Sequence, residues 1–313
     1  MTEPDSTENR STNLKASVLR YCPSRILAPN PLLLQYVNVK VKVVVCDVNY
    51  EARVRNVEKG RVVKRAGGAA MTLANNKVHG DLIPAEVHLP PASYVSYSDG
   101  LKIKSYIKSS STSTPKESIS FSGMVTGNNV LAPLIASFSS RGPNRADPNI
   151  LKRDIIGPGV NILAAWPFEV GSPAVRFNIN SGTSTAVLYP SGAAALLKSQ
   201  HPDWPPAAIK SAITMTATTT ASSGSLIAYQ NHNPAEFFAT GSGHVNPTSA
   251  SCPGLIYDIK ASDCIPYLCG LQYAYDLVRT IARRCIKCYK IAPISGAELN
   301  YPSFMVFLSD GSR

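Results

Sequence analysis

No apolar stretch in this 313-residue sequence approaches the roughly 18 residues of a membrane span. A membrane partner is therefore not expected. The opening residues, Met1-Thr-Glu-Pro-Asp-Ser6, are polar and acidic where a secretory leader is basic and then apolar, so no signal peptide is expected in this chain. Acidic residues are scarce: 20 Asp and Glu stand against 31 Lys and Arg, giving a formal net charge of +11. That excess would suit a nucleic-acid partner if it were concentrated, because clustered cations displace counterions from phosphate. Here the basic residues are dispersed, with local densities at Lys40–Lys42, Arg53–Arg65 and Arg279–Lys290 that lack an interleaved aromatic ladder. No nucleic-acid partner is expected; a solvated basic surface accounts for the charge.

Metal chemistry is equally short of material. Cys285-Ile-Lys-Cys288 has CxxC spacing, but no second CxxC and no paired histidines lie near it, so a tetrahedral zinc site is not expected. The seven cysteines are an odd number, which leaves at least one thiol free or paired between chains. Cys264, Cys269, Cys285 and Cys288 cluster, as disulfide-bonding cysteines of an oxidising compartment do, with connectivity left open.

What is present is ordinary globular material, 44% hydrophobic and 16% charged, long enough for two or three units. Residues 1–36 have weak periodicity and read as an irregular lead-in. Val39–Cys46 alternates and then runs apolar, as a strand entering a core does. Residues 51–66 place Val54, Val57, Val62 and Ala66 at near-helical spacing before Gly67-Gly68, and Ala69–Ala74 is a second short strand. A strand after Pro90-Pro91, a helix over 101–108 and a loop over 109–115 follow. Beyond them, strands are expected at 119–125 and 134–138, helices at 206–216 and 268–286, and a strand at 299–307. Strands alternating with helices define an α/β architecture with a largely parallel sheet.

One constellation carries chemistry. In Ser181-Gly-Thr-Ser184 a serine sits among small residues, where it can project from a tight turn and where backbone N–H groups can approach a developing oxyanion. If Ser184 opens a helix, that helix's positive end adds to the effect. Taken alone, four such residues are equally an ordinary helix cap.

Further segments stand in order around it: Ala136-Ser-Phe-Ser-Ser-Arg-Gly-Pro-Asn144, Ile150–Trp166, His201-Pro-Asp-Trp204, Gly241-Ser-Gly-His-Val-Asn-Pro247, Pro253-Gly-Leu-Ile-Tyr-Asp258 and Leu299-Asn-Tyr-Pro-Ser-Phe304. With these the chain resembles the plant subtilisin-like serine proteases, the subtilases, over residues about 37–307. The resemblance implies a protease-associated insertion at 37–118, the C-terminal part of a subtilisin-like parallel-sheet domain at 119–290, and the start of a fibronectin-III-like β-sandwich at 291–313. It also implies an extracellular or cell-wall setting, protein or peptide substrates, no cofactor, and the nucleophile role for Ser184, whose backbone N–H would be one oxyanion donor.

The family's triad order is Asp, His, Ser. The Asp-Thr-Gly, His-Gly-Thr-His and Gly-Asn-Ser-Gly strings that would carry the aspartate, the histidine and the oxyanion asparagine do not occur in this sequence. His79 and His88 precede Ser184 but fall in the insertion; His201, His232 and His244 are expected to be structural. The nucleophile segment also departs from the family: Gly182-Thr-Ser-Thr-Ala-Val-Leu-Tyr-Pro190 carries Leu188 where a proline is usual and places Pro190 deeper in the expected helix. There the proline removes an N–H that would bond back to Ala186, at a cost of about 3 kcal/mol. The expectation is a serine-type endopeptidase by resemblance, inactive as this chain alone; the alternative is a non-catalytic remnant or protein-binding pseudoprotease. Oligomeric state is not legible.

Overall fold

The computed structural model describes residues 14–17, 20–22, 38–48, 55–109, 115–120, 131–170 and 175–303. They divide into two compact units, one built from the described residues up to 120 together with 163–179, the other from 131–162 and 180–303.

The first unit runs β1 (Leu14–Ser17), β2 (Arg20–Cys22), β3 (Val43–Asp47), α1 (Asn56–Arg65), β4 (Ala70–Ala74), β5 (Ala92–Val95), α2 (Tyr97–Ser109) and β6 (Lys116–Ile119). Strands β2, β3, β4 and β5 form one sheet in that order, every neighbouring pair parallel, while β1 and β6 pair antiparallel. Val43 to Cys46 and all of β4 are buried, as a parallel sheet covered on both faces requires. Alternation then sorts their side chains. Val44, Cys46, Met71 and Leu73 pack with Val63 on one face, and Val62 and Ala66 lie against them. On the other, Val43, Val45, Ala70 and Ala74 meet Ile103 and Ile107 of α2.

Helix α1 has Glu58 in its first turn and Lys64 and Arg65 in its last, the polarity its dipole favours. It stops at Gly67, whose φ of +83° is the left-handed conformation that glycine adopts without strain. The strand, helix, strand order expected for 39–74 is therefore present.

The second unit begins with β7 (Leu134–Ile135), which pairs parallel with the later β10 (Ala228–Tyr229). Between them come a two-stranded sheet of β8 (Ile162–Val170) and β9 (Val175–Asn180), most of which groups with the first unit, and the helices α3 (Thr183–Gln200) and α4 (Pro206–Met215). Short α5 (Phe237–Thr240), α6 (Pro247–Ala250), α7 (Cys264–Gly270) and α8 (Tyr275–Ala282) follow. Ala193 and Leu197 of α3 pack on Ile209 and Ile213 of α4, with Val245 and Ala250 closing the cluster.

Several sequence expectations shift here. The helix expected over 268–286 is two helices, because residues 271–274 break it and Arg283 turns left-handed at φ 51°. The strand expected at 119–125 lies almost wholly outside the described residues; β6 precedes it. Residues 299–303 carry no strand, and 304–313, on which the expected fibronectin-III-like start depends, lie outside the described residues.

Candidate active site

Ser184 is the second residue of α3 and is exposed. The turn before it is held from two sides. The Gly182 N–H donates to the Gly159 carbonyl at 2.8 Å, and the Asn161 N–H donates to Ser181 Oγ at 2.8 Å, with the Ser181 N–H on Asn180 Oδ1 at 3.0 Å. Gly159 must be glycine for steric reasons, since a Cβ there would lie 2.7 Å from Ala186 Cβ and 3.0 Å from the Gly182 carbonyl oxygen. The Gly157-Pro-Gly159 segment thus closes directly on the first turn of α3. Intrahelical bonding starts with the Ala186 N–H on the Gly182 carbonyl at 3.0 Å, so the N–H groups of Thr183, Ser184 and Thr185 have no acceptor within the helix. They leave positive potential beside the serine hydroxyl.

No imidazole or carboxylate meets Ser184 Oγ among the described residues. His201 ends the same helix, about 25 Å along its axis at 1.5 Å per residue. Its ring stacks on Trp204 with centroids 3.9 Å apart, and Nε2 donates to the Ser251 carbonyl at 3.2 Å. That explains the His201-Pro-Asp-Trp204 segment as packing. His244 exchanges both backbone hydrogen bonds with Thr218 at 2.8 Å, and its Nδ1 lies 3.0 Å from the Val245 carbonyl oxygen. Burial lowers its pKa, against the opposing pull of that carbonyl. His79 and His88 belong to the first unit, where burial lowers the pKa of each. His232 sits exposed in a turn at φ 65°.

Helix α3 runs unbroken through Pro190, so the expected disruption does not sever it. A cleft of about 540 Å³ lies between α3 and α4, lined by Val187, Pro190, Ser191, Trp204, Ile209 and Lys210 among others. At its edge is a charge cluster that the sequence did not announce. Asp154 takes Lys152 Nζ at 2.7 Å and lies 3.2 Å from Lys210 Nζ, while the Tyr301 hydroxyl donates to it at 2.9 Å. Burial raises the Asp154 carboxyl, but these neighbours outweigh it and hold the pKa below the usual carboxylate value. The same carboxylate and phenol hold the Lys152 pKa up, against the burial that would depress it.

The cysteine cluster resolves in part. Cys269 and Cys288 form a disulfide, so the CxxC pair does not close on itself, and Cys46, Cys252, Cys264 and Cys285 are thiols. Among the described residues no group of three or more His, Cys, Asp or Glu could hold a metal ion.

With a doubly covered parallel sheet in one unit and a serine-headed helix in the other, this is an α/β protein of two units, and the model of the protease-associated (PA) domain matches residues 7–103. The model of the subtilase family matches residues 66–243, and the chain belongs to that family. It is 46% identical to the subtilisin-like protease SBT1.7 of Arabidopsis thaliana over 276 residues, covering 86% of this chain and 36% of that protein. Against the subtilisin-like protease SBT1.6 of the same plant the identity is 45%, over 88% and 36%. The chain thus spans about a third of the length of these curated relatives. A solved psychrophilic subtilisin-like protease, Apa1 from an Antarctic Pseudoalteromonas, aligns with 76% of this chain and 40% of its own at 16% identity, with a TM-score of 0.28.

Proposed function

We propose that this chain carries the nucleophile part of a subtilisin-like serine endopeptidase acting on proteins or peptides in the extracellular or cell-wall space, and that the chain alone is catalytically silent. In the proposed reaction Ser184 Oγ attacks the scissile carbonyl, its proton passing to an imidazole. The oxyanion forms against the Ser184 backbone N–H; its collapse breaks the C–N bond as the imidazolium gives its proton to the leaving amine, and water then hydrolyses the acyl-enzyme to free Ser184. The observation that carries the proposal is an exposed serine at the unbonded N-terminus of α3, in a turn fixed by Gly159 and Ser181.

Silence follows from the other half of the site. Without a base within hydrogen-bond reach the hydroxyl stays a poor nucleophile, and removing the histidine of subtilisin costs about 10⁶ in turnover. A fluorophosphonate probe tests both halves of the proposal. The isolated chain should show no labelling of Ser184, and a longer polypeptide that joins it to a family segment bearing the Asp and His should be labelled stoichiometrically. Labelling of the isolated chain, lost in Ser184→Ala, would refute its silence. Failure of the joined protein to label, when folded, would refute the nucleophile role and favour a non-catalytic protein-binding remnant.

A further inference from the structure

In the first unit a cavity of about 660 Å³ is walled by the irregular segment 83–91, by β5 and by the end of β6. Pro84, Pro90 and Pro91 make that segment stiff, because proline fixes its own φ. Among the described residues lining the cavity Glu86 alone carries a charge, although the chain as a whole is strongly basic. The Tyr94 hydroxyl donates to Glu86 Oε2 and so fixes the carboxylate.

Behind that carboxylate lies His88. Its side chain is only 4% exposed, and neither ring nitrogen has a hydrogen-bond partner. Nδ1 abuts α1, 3.2 Å from where a Cβ on Gly60 would stand, while Nε2 faces Glu86 Oε2 across 3.8 Å. Burial keeps the imidazole pKa low despite Glu86, so the ring is neutral near pH 7 and offers an acceptor. A buried polar group left unpaired is costly, and at 3.8 Å Nε2 and Oε2 are too far apart to bond directly, so a donor admitted between them by a small shift of the ring would satisfy both.

An anion would be repelled by Glu86, and an apolar group would leave the imidazole acceptor of His88 unpaired. A metal ion would find too few ligands. We propose that this cavity binds the cationic side chain of a basic polypeptide segment, its ammonium or guanidinium seated on Glu86 and His88 Nε2 and its methylene stem along Pro84, Pro90 and Ile119. The site is independent of Ser184 and stands whether or not the chain cleaves anything.

The test uses the full chain, with histidine and tyrosine rings isotopically labelled, titrated with acetyl-Ala-Lys-Ala-amide. Peptides carrying norleucine or glutamate in place of the lysine serve as controls. The lysine peptide should move the His88 and Tyr94 ring signals saturably, and the two controls should not. Calorimetry should show affinity for the lysine peptide falling at least about tenfold in Glu86→Gln. That variant changes an exposed side chain, and unmoved His79 and His244 signals report that it is folded. His88→Asn, which keeps Glu86, should weaken binding several-fold. An equal response to norleucine, an unchanged affinity in Glu86→Gln, or no saturable response at all would overturn the proposal, the last leaving a bridging water as the occupant.

Discussion

The Tyr301 hydroxyl donates to Asp154 Oδ1 at 2.9 Å across 147 residues of chain. The Tyr301 hydroxyl oxygen itself accepts from Lys152 Nζ at 3.1 Å and from Lys210 Nζ, whose ammonium also lies 4.4 Å from the centre of the tyrosine ring. One phenol therefore ties Leu299-Asn-Tyr-Pro302 to the segment that leads into the Gly157-Pro-Gly159 turn, and so to the floor beneath Ser184.

Tyr301→Phe keeps the ring and deletes every hydrogen bond of the hydroxyl. It should lower stability by about 1 kcal/mol, the net worth of such bonds where solvent still reaches them, read as a lower urea midpoint at unchanged slope. The acid limb should change in a way that a generic packing loss would not reproduce. Because the folded Asp154 pKa lies below its ordinary value of 3.8, its contribution is complete above that pH and is lost as pH falls through the folded value. Asp154→Asn should therefore flatten the decline in stability below about pH 4. An acid limb identical in parent and variant would show that the carboxylate does not hold the cluster together.

Much of the first unit was legible in the sequence because one force dominates it. Val43 to Cys46 and Ala70 to Ala74 are buried on both faces, and such strands announce themselves as apolar runs whatever lies beyond them. The small-residue turn that carries Ser184 was legible in Ser181-Gly-Thr-Ser184, whereas the contact of Gly159 with it was not, and the nucleophile role rested on the family resemblance. Contacts with no local signal stayed hidden. Nothing in Asp154 or Tyr301 read singly says that they meet, and the clustering of four cysteines left open the pairing that the structure makes between Cys269 and Cys288. Residues 268–286 kept helical composition while the chain turned at 271–274, a tertiary choice that places Ile265 and Val278 against one another.

Pro190 provides a second test. Helix α3 continues through it, yet the Ala186 carbonyl lacks the N–H four residues on and faces Gly157, 3.2 Å from where a Cβ would be. Pro190→Ala restores the donor, removes the ring from that turn, and should stabilise the chain by about 1–3 kcal/mol. Part of the gain is offset by lost apolar lining in the cleft between α3 and α4. A scan of thermal unfolding should show a rise of several degrees. No rise would mean that the helix already relieves the proline locally, and that the departure from the family at this position is neutral for folding.

The disulfide makes a different kind of demand, because it staples a small cluster instead of filling a large core. Ile265, Val278 and Ile286 form that cluster, with Leu268 and Ala282 against it, and the helices around it have only seven and eight residues. Helices of this length do not persist without tertiary support. The Cys269–Cys288 bond spans 19 residues, a loop whose closure is worth about 3 kcal/mol in the chain-entropy account. Replacing both cysteines by alanine should therefore loosen 264–291 first. Amide exchange at Val278 and Ile286 should accelerate by about two orders of magnitude, while Val44 and Leu73 in the other unit's sheet keep their protection. Uniform acceleration across both units would contradict the assignment of this bond to a local foldon and would instead tie it to the stability of the whole chain.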